Sequence, residues 1–289
     1  MSEPVSESPR ASDETPASYV QLAVPGSWPE REALIQAVAD ASGGRIEIVG
    51  DGLVDKQHNV QAQCEILGHQ ETMEMMFELG GRLEDEALDA VAAHKSVIHL
   101  RLRAGEAAAQ QVLRLGCDLL DAGGHGIRVE SSGRAHSPDQ WRELAEEAGV
   151  LDDAATRGVA LYRAFVVLVG PDEDDDEDEE GTESDADVDV ASGGDYTSFG
   201  MQIVGRRDAV VADRDDLEDD PVELLERFLL YQLIDWPTLA DGDTFSLGEA
   251  TESTSRYRVS AQPDRRYPSD DPFYNPFGLW RLEPAAATA

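Results

Sequence analysis

The feature that most constrains the fold is a repeated change between helical and strand periodicity in the middle of the chain. Apolar residues recur at helical spacing from Leu88, alternate from Val97 to Arg103, and return to helical spacing from Glu106 to Ala122. A short alternating stretch at Ile127 and Val129 follows. Helices and strands in this order must bury their apolar faces against one another. The pattern therefore predicts an α+β fold in which helices pack on a mixed sheet.

Local sequence predicts where several helices begin. Ser137-Pro138-Asp139-Gln140 combines a capping serine, a proline in the first turn and a glutamine three residues after the cap. Asp220-Pro221-Val222-Glu223 has the same arrangement with an aspartate as the cap. Ser27, which precedes Trp28-Pro29, predicts a third helix start.

Four further segments are predicted as strands or a hairpin. The run from Thr72 to Leu79 places Met73, Met75, Phe77 and Leu79 on one face and polar residues on the other, which favours a strand. Leu161 to Val169 is almost continuously apolar, as is typical of a central strand covered on both faces. Tyr196 to Val204 is predicted as a strand, and Asp241-Gly242 as a hairpin turn.

The chain is predicted to form one α+β domain over residues 18–285. Residues 1–17 are polar and rich in Ser, Pro and Glu, and we expect them to be disordered. An acidic insertion over residues 171–194 is expected to be disordered as well, because it cannot bury enough apolar surface to offset its ordering entropy. In the aromatic tail, Phe277, Leu279 and Trp280 are expected to tie the chain end to the core.

Charge limits the classes of partner. The chain has 60 acidic and 23 basic residues and a net charge of −37 at pH 7. Nucleic-acid backbones require a cationic footprint, so this balance argues against nucleic-acid binding, and anionic membranes are disfavoured for the same reason. Thirteen acids and no base lie between Asp172 and Asp189, but the other residues still carry 47 acids against 23 bases. A basic protein partner, or weak association of divalent cations, fits this global acidity.

Cysteine usage and hydropathy indicate a cytoplasmic protein. Cys64 and Cys117 lie in apolar segments without C-x-x-C spacing, which is typical of buried thiols in a reducing compartment. The first 17 residues have no apolar core of a signal peptide. No stretch approaches the roughly 18 apolar residues of a membrane span.

The segment from Gly123 to Trp141 holds the candidate functional residues, because turn glycines, histidines, hydroxyls and paired charges concentrate there. His125, Glu130 and His136 are the candidates for acid–base catalysis, which needs a histidine and an orienting carboxylate. The candidate binding residues in this segment are Arg128, Ser131 and Ser132. Polar loop and helix-cap roles are the structural alternative. No catalytic spacing is complete, and no cofactor motif is present.

Two arginines near the C-terminus and two possible metal motifs are the other candidate sites. Arg265 and Arg266 could form an anion-binding corner with the nearby Asp270 and Asp271, or an internally salt-bridged tail. Neither His94 with His99 nor the acidic run matches a metal motif: the histidine spacing fits no zinc pattern, and the EF-hand-like start at Asp185 lacks its glycine and glutamate. We predict no specific metal site.

Two stretches carry a family resemblance. They are Ala122-Gly-Gly-His-Gly-Ile-Arg-Val-Glu-Ser-Ser-Gly-Arg-Ala-His-Ser-Pro138, and Arg266-Tyr-Pro268 with Asn275-Pro-Phe-Gly-Leu-Trp-Arg281. The chain resembles an uncharacterised bacterial domain of unknown function over about residues 72–282. That resemblance implies one continuous domain and no activity that could be carried over.

The sequence favours a noncatalytic binding or regulatory protein that acts through protein–protein contacts. Acidity and the lack of catalytic motifs would also suit an immunity or antitoxin-like role. The alternative is an enzyme or a small-ligand-binding protein with its site at residues 123–141. Under that alternative, His125, Glu130 and His136 should lie together.

Overall fold

The structure is a computed structural model that describes residues 18–150, 152–171, 194–212, 217, 219–247 and 255–285. The expectations for residues 1–17, for 172–193 of the acidic insertion and for its EF-hand-like start lie outside these ranges. The helices are α1 (Arg31–Ala41), α2 (Met73–Gly80), α3 (Asp85–Ala92), α4 (Glu106–Asp121), α5 (Pro138–Ala148), α6 (Ala154–Phe165) and α7 (Pro221–Ile234), with a 3-10 turn at Met201–Val204.

The strands form two sheets, and the predicted α+β class is confirmed. The strands are β1 (Tyr19–Gly26), β2 (Ile46–Val49), β3 (Gly52–Asp55), β4 (Val60–Gly68), β5 (Ser96–Arg103), β6 (Ile127–Val129), β7 (Ala135–His136), β8 (Val167–Val169), β9 (Asp195–Phe199), β10 (Asp208–Ala212), β11 (Thr244–Ser246), β12 (Arg256–Gln262) and β13 (Leu279–Pro284). The seven-stranded sheet is antiparallel in the order β2-β3-β4-β5-β1-β6-β7. The six-stranded sheet has the order β11-β12-β13-β10-β9-β8, and β10 and β13 pair in parallel.

Helices connect the two sheets through a shared core. Helix α4 packs on β1 and β5 of the seven-stranded sheet, α7 packs on β8, β9 and β10 of the six-stranded sheet, and α5 and α6 lie between α4 and α7. The larger cluster of buried apolar side chains accordingly includes Leu22 of one sheet and Val211 of the other. Helices α2 and α3 cover part of the opposite face of the seven-stranded sheet, where Phe77 and Val91 pack against Ala23 and Val97.

The predicted strand at Thr72–Leu79 is wrong, because Met73–Gly80 is a helix. Met73 and Phe77, four residues apart, are buried, whereas Met75 is 52% exposed and Leu79 is 81% exposed. This burial follows the helical repeat rather than the alternation of a strand. Met, Glu and Leu are good helix formers, so residue propensity favours a helix here although the alternation of apolar and polar residues favours a strand.

The predicted central strand at Leu161–Val169 is also wrong over most of its length. Helix α6 continues to Phe165, and only Val167–Val169 forms a strand. Asp153 caps this helix by accepting a hydrogen bond from the Thr156 backbone N–H at 3.0 Å. A continuous apolar run cannot by itself distinguish a buried strand from a helix buried on several sides.

Three smaller predictions need correction as well. Strand β9 ends at Phe199, and Gly200 has a φ of 112° before the 3-10 turn, so the predicted strand does not reach Val204. Helix α1 begins at Arg31 with Glu30 as its cap rather than Ser27, because Trp28 folds inward and donates to the Ala122 carbonyl at 2.7 Å. Gly242 has a φ of 91° in a turn that leads into β11 and does not join two strands.

Two of the three predicted helix starts are confirmed, and so is the burial of the tail at Leu279 and Trp280, whereas Phe277 is half-buried. Ser137 accepts from the Gln140 N–H, and the Gln140 side chain accepts from the Ser137 N–H, which completes a capping box. Asp220 caps α7 by accepting from the Glu223 N–H at 2.9 Å. Leu279 and Trp280 are buried in β13 between β10 and β12.

Both cysteines are free thiols held in apolar surroundings. Cys64 is buried and Cys117 is half-buried. Burial raises the pKa of both thiols to about 11. Because the thiolate is the reactive form, neither cysteine is poised for nucleophilic chemistry near neutral pH.

Candidate functional site

The segment from Gly123 to Trp141 lies where the two sheets meet. It contributes β6, β7 and the first turn of α5, and β6 pairs with β1 inside the seven-stranded sheet. Between β6 and β7 the chain turns at Gly133, whose φ is 78°; a Cβ atom added there would lie 3.7 Å from the ring of Phe273 in the C-terminal tail. Several groups in this segment therefore contact elements of both sheets.

Ser131 forms hydrogen bonds that join parts of the two sheets, whereas the side chain of Ser132 does not. The Ser131 hydroxyl accepts from the Gln21 N–H at 3.2 Å and donates to the Tyr19 carbonyl at 3.4 Å, which extends the hydrogen bonding of β1 past the end of β6. Its carbonyl accepts from the Gln202 amide at 2.9 Å, and that bond connects the sheet to the 3-10 turn. Ser132 is buried, and its Oγ has no hydrogen-bond partner among the described residues.

His136 is buried and bonded to the backbone. Its Nε2 lies 3.0 Å from the Ala164 carbonyl, to which it donates, and its ring packs on Trp141 with centroids 5.4 Å apart. The pKa of His136 is lowered to about 4, chiefly by burial; the hydrogen bond to Ala164 opposes this shift, and the neighbouring Arg134 and Arg163 contribute to it. The ring is therefore neutral at physiological pH, and the geometry gives it a structural role between β7 and α6.

This environment predicts a specific acid sensitivity. His136 has a lower pKa in the folded protein, about 4, than the usual 6.5, so the unfolded chain binds the proton more tightly and stability is lost as the pH falls from 6.5 towards 4. Between pH 7 and pH 4.5, His136 should account for roughly 2–3 kcal/mol of lost unfolding free energy. We expect His136→Gln to lose that much less than the wild type when urea unfolding is measured at both pH values. Equal losses in the two proteins would contradict the assignment.

His125 belongs to a different group of histidines. Its pKa is lowered by burial and by the nearby His94, whose ring stacks on His69 with centroids 4.3 Å apart. Both ring nitrogens of His94 are occupied by backbone: Nδ1 donates to the Val91 carbonyl at 2.6 Å, and Nε2 accepts from the Gln70 N–H at 3.0 Å. In this tautomer His94 has no nitrogen left for a metal.

Arg128 and Glu130 form an incompletely satisfied buried pair. Arg128 Nη1 lies 2.5 Å from Glu130 Oε2, and both side chains are largely buried. Arg128 Nε and Glu130 Oε1 have no hydrogen-bond partner among the residues that the structure describes. Leaving a buried polar group unpaired costs about 1–3 kcal/mol, so this pair needs an explanation in terms of water or a ligand.

The strand register brings this pair beside residues that are distant in sequence. Glu65 pairs with His99, His99 with Ala23, and Ala23 with Arg128, so all four lie on one face of the seven-stranded sheet. Burial lowers the pKa of His99, Glu130 and Glu65 oppose that shift, and Arg128 adds to it. A second row on the same face pairs Gln63 with Arg101 and Arg101 with Gln21.

We call the polar side chains of these two rows the open sheet face: Gln21, Gln63, Glu65, His99, Arg101, Arg128 and Glu130. A cleft of about 580 Å³ lies over part of this face, and its lining includes Gln21, Gln63, Glu65, His99 and Arg101 but neither Arg128 nor Glu130. Helices α2 and α3 cover the neighbouring end of the sheet, whereas Glu65 and Arg101 are exposed. The alternation in β5 already indicated that His99 and Arg101 point away from the core, but the sequence could not show that Glu65 and Arg128 lie beside them.

Arg265 and Arg266 have opposite environments. The guanidinium of Arg266 is buried: Nη2 lies 3.3 Å from Asp208 and 3.0 Å from Asp264, and Nη1 donates to Thr197 Oγ1 at 2.7 Å. Its Cζ also lies 4.3 Å from the centroid of Phe199. Arg265 is exposed. The internally salt-bridged tail expected from sequence thus exists, but its acids are Asp208 and Asp264 instead of Asp270 and Asp271.

The structure does not bring the three catalytic candidates together. His136 contacts Ala164, Glu130 pairs with Arg128, and His125 neighbours His94. Within the described ranges, no hydrogen bond, ion pair or ring contact joins any two of the candidates. Among the described residues, no group of three His, Cys, Asp or Glu side chains is arranged to hold a metal ion. Likewise, none of the helices described has both the length and the apolar character needed to cross a membrane.

Comparison with known proteins adds no relative from which a function could be transferred. No family model, no curated protein and no solved structure matches the chain.

Proposed function

We propose that the chain is a noncatalytic binding protein that recognises a protein partner through the open sheet face. The supporting observation is the pair of unpaired buried atoms at that face, Arg128 Nε and Glu130 Oε1. Arg128 Nε–H needs an acceptor and Glu130 Oε1 needs a donor. A backbone amide or the carboxamide of Asn or Gln supplies both. Because neither atom is accessible to solvent, a polypeptide chain laid over β1 and β6 would satisfy them only after the side chains of Arg128 and Glu130 turn outward.

The composition of the open sheet face suits specific recognition. Glu65, Arg101 and Glu130 place both signs of charge on one face of the sheet, which penalises a partner with the wrong charge pattern. The electrostatic field produced by the net charge of −37 reaches further from the surface than these local charges, and it would speed the approach of a partner with a basic surface. The proposal also includes a cytoplasmic location and no nucleic-acid partner, both of which rest on composition.

Reversal of one charge on the open sheet face tests the proposal. Arg101 is exposed on that face, and Arg227 is exposed on α7, where it pairs with Glu223 at 3.5 Å. Arg101→Glu and Arg227→Glu change the net charge equally. Affinity capture from native lysate, followed by mass spectrometry, should recover the same stoichiometric protein with the wild type and Arg227→Glu, and should lose it with Arg101→Glu. Recovery should also fall at high salt, because attraction between exposed charges is screened.

Two results would count against this proposal. Equal loss with both variants would assign capture to net charge alone, and undiminished capture with Arg101→Glu would remove the open sheet face from the interface. Circular dichroism of both variants serves as the control for folding.

A further inference from the structure

A second cleft lies beside the Gly123–Trp141 segment, where an edge strand of each sheet contributes to its wall. Strand β7 is the last strand of the seven-stranded sheet, and β8 is the last strand of the six-stranded sheet. Between them is a cleft of about 690 Å³, bounded by the C-terminal end of α2, by α5 and by α6. This arginine cleft is lined by Arg82, Arg134 and Arg163 together with Leu79, Leu144 and Val167.

The concentration of arginine is unusual for so acidic a protein. Only 23 residues of the chain are Lys or Arg against 60 acids, yet three arginines line this one cleft. Arg163 has acidic partners on one side, Glu147 at 3.2 Å and Glu143 at 4.0 Å. Neither Arg82 nor Arg134 forms an ion pair in the described part of the chain, although one acid, Glu78, also lines the cleft. Arg82 and Arg134 therefore carry positive charge in the cleft that no acid among the described residues neutralises through an ion pair.

Arg134 has two side-chain N–H groups available to bind an anion. Its Nη1 donates to the Val166 carbonyl at 2.6 Å, which leaves Nε and Nη2 without a partner among the described residues. Burial lowers the pKa of Arg134, the nearby Arg163 adds to that effect, and Tyr162 opposes it. Two guanidinium groups that repel each other in a partly desolvated cleft are stabilised by a shared oxyanion, which arginine binds in a bidentate manner.

The wall beside Arg134 is closely packed. A Cβ atom added at Gly80 would lie 2.2 Å from the Gly133 carbonyl oxygen, and one added at Gly81 would lie 2.3 Å from the Ala135 carbonyl oxygen. Backbone therefore packs directly on backbone at this wall, which fixes the distance between α2 and the turn that carries Arg134. The buried, hydrogen-bonded ring of His136 forms part of the same wall. A site on such a support needs little rearrangement to bind its ligand.

We propose that the arginine cleft binds a small molecule that carries an oxyanion, a phosphate or a carboxylate, on an apolar body. The oxyanion lies between Arg134 and Arg163 and within reach of Arg82. The apolar body packs against Leu79, which is 81% exposed without a ligand, and against Leu144 and Val167. The site is independent of the open sheet face and does not rest on the proposed function.

Isothermal titration calorimetry at low ionic strength tests this site with three probes: inorganic phosphate, phenyl phosphate and benzoate. We expect saturable binding of phenyl phosphate or benzoate, and whichever binds more tightly identifies the anionic group. Arg134→Gln should weaken that binding by about tenfold or more, because a hydrogen bond to a charged group is lost. Arg142→Gln is the matched control, since Arg142 lies on α5 and pairs with Asp121 at 2.9 Å outside the cleft; its effect should stay within about twofold.

The proposal also has clear ways to fail. Absence of saturable binding for all three probes would overturn it, and so would equal weakening by Arg134→Gln and Arg142→Gln. If inorganic phosphate bound as tightly as phenyl phosphate, the apolar part of the proposal would be wrong. Should Arg134→Gln not fold, Arg82→Gln replaces an exposed side chain of the cleft and is expected to weaken binding in the same direction.

Discussion

Replacement of Arg266 with alanine is expected to lower the free energy of unfolding by about 3–5 kcal/mol. The two acids that Arg266 neutralises, Asp208 and Asp264, are both buried. Asp208 also accepts from Asn275 Nδ2 at 2.8 Å and from the Met201 N–H at 3.1 Å, so the network joins β10, the 3-10 turn and the C-terminal tail. Without the guanidinium, two buried carboxyl groups would lose their cation. Urea unfolding at neutral pH measures the loss.

Arg265→Ala provides the control, because it removes the same charge one residue away at an exposed position. Its unfolding free energy should change by no more than about 0.5 kcal/mol. A small effect of Arg266→Ala, comparable with that of Arg265→Ala, would contradict the structural role and return Arg266 to the candidates for ligand binding.

Trp141→Ala is expected to lower the unfolding free energy by a similar amount, about 3–5 kcal/mol. The indole is fully buried, donates to the Leu113 carbonyl at 3.0 Å and packs edge-on against Phe165 with centroids 6.1 Å apart. A Cβ atom at Gly116 would lie only 2.2 Å from its Nε1, so α4 and α5 approach closely at this point. Removal of the ring would leave a cavity among α4, α5 and α6.

Trp141→Phe separates the two contributions of this residue. Phenylalanine retains much of the apolar contact but lacks the indole N–H, so the Leu113 carbonyl keeps only its hydrogen bond within α4. We therefore expect a smaller loss of about 1–3 kcal/mol. Equal losses for the two variants in urea unfolding would show that the hydrogen bond, rather than the volume of the ring, dominates. Negligible losses for both would contradict the packing described for α5.

Together, the two predictions separate residues with a structural role from residues available for ligand binding, both in the Gly123–Trp141 segment and in the C-terminal tail. Arg266, Ser131, His136 and Trp141 each bond to groups far away in the chain, which accounts for their polarity without a ligand. The unpaired atoms of Arg128 and Glu130, and the arginine cleft, are not accounted for in this way. Partners and ligands are therefore best sought at these two surfaces.

Sequence reasoning succeeded where the deciding contact is local. The caps at Ser137 and Asp220 are hydrogen bonds across three residues, and helix geometry makes such bonds predictable from residue type. It failed where local patterns are ambiguous. The residues from Thr72 to Leu79 satisfy an alternating pattern as well as a helical one. Residue propensity favours the helix, and the packing of Phe77 with Ala23 and Val97 fixes which side of it is buried.

The amino-acid sequence by itself determined the α+β class, the main helix starts and the excess of acid, because these depend on residue type and on neighbours within a few positions. Only the tertiary structure decided which charges meet. Arg266 reaches Asp208 across 58 positions, and the register of β1 with β5 and β6 sets His99 and Arg128 beside one residue, Ala23. The physical reason is that pairing between strands and closure of a cleft depend on how the whole chain packs, which no local pattern records.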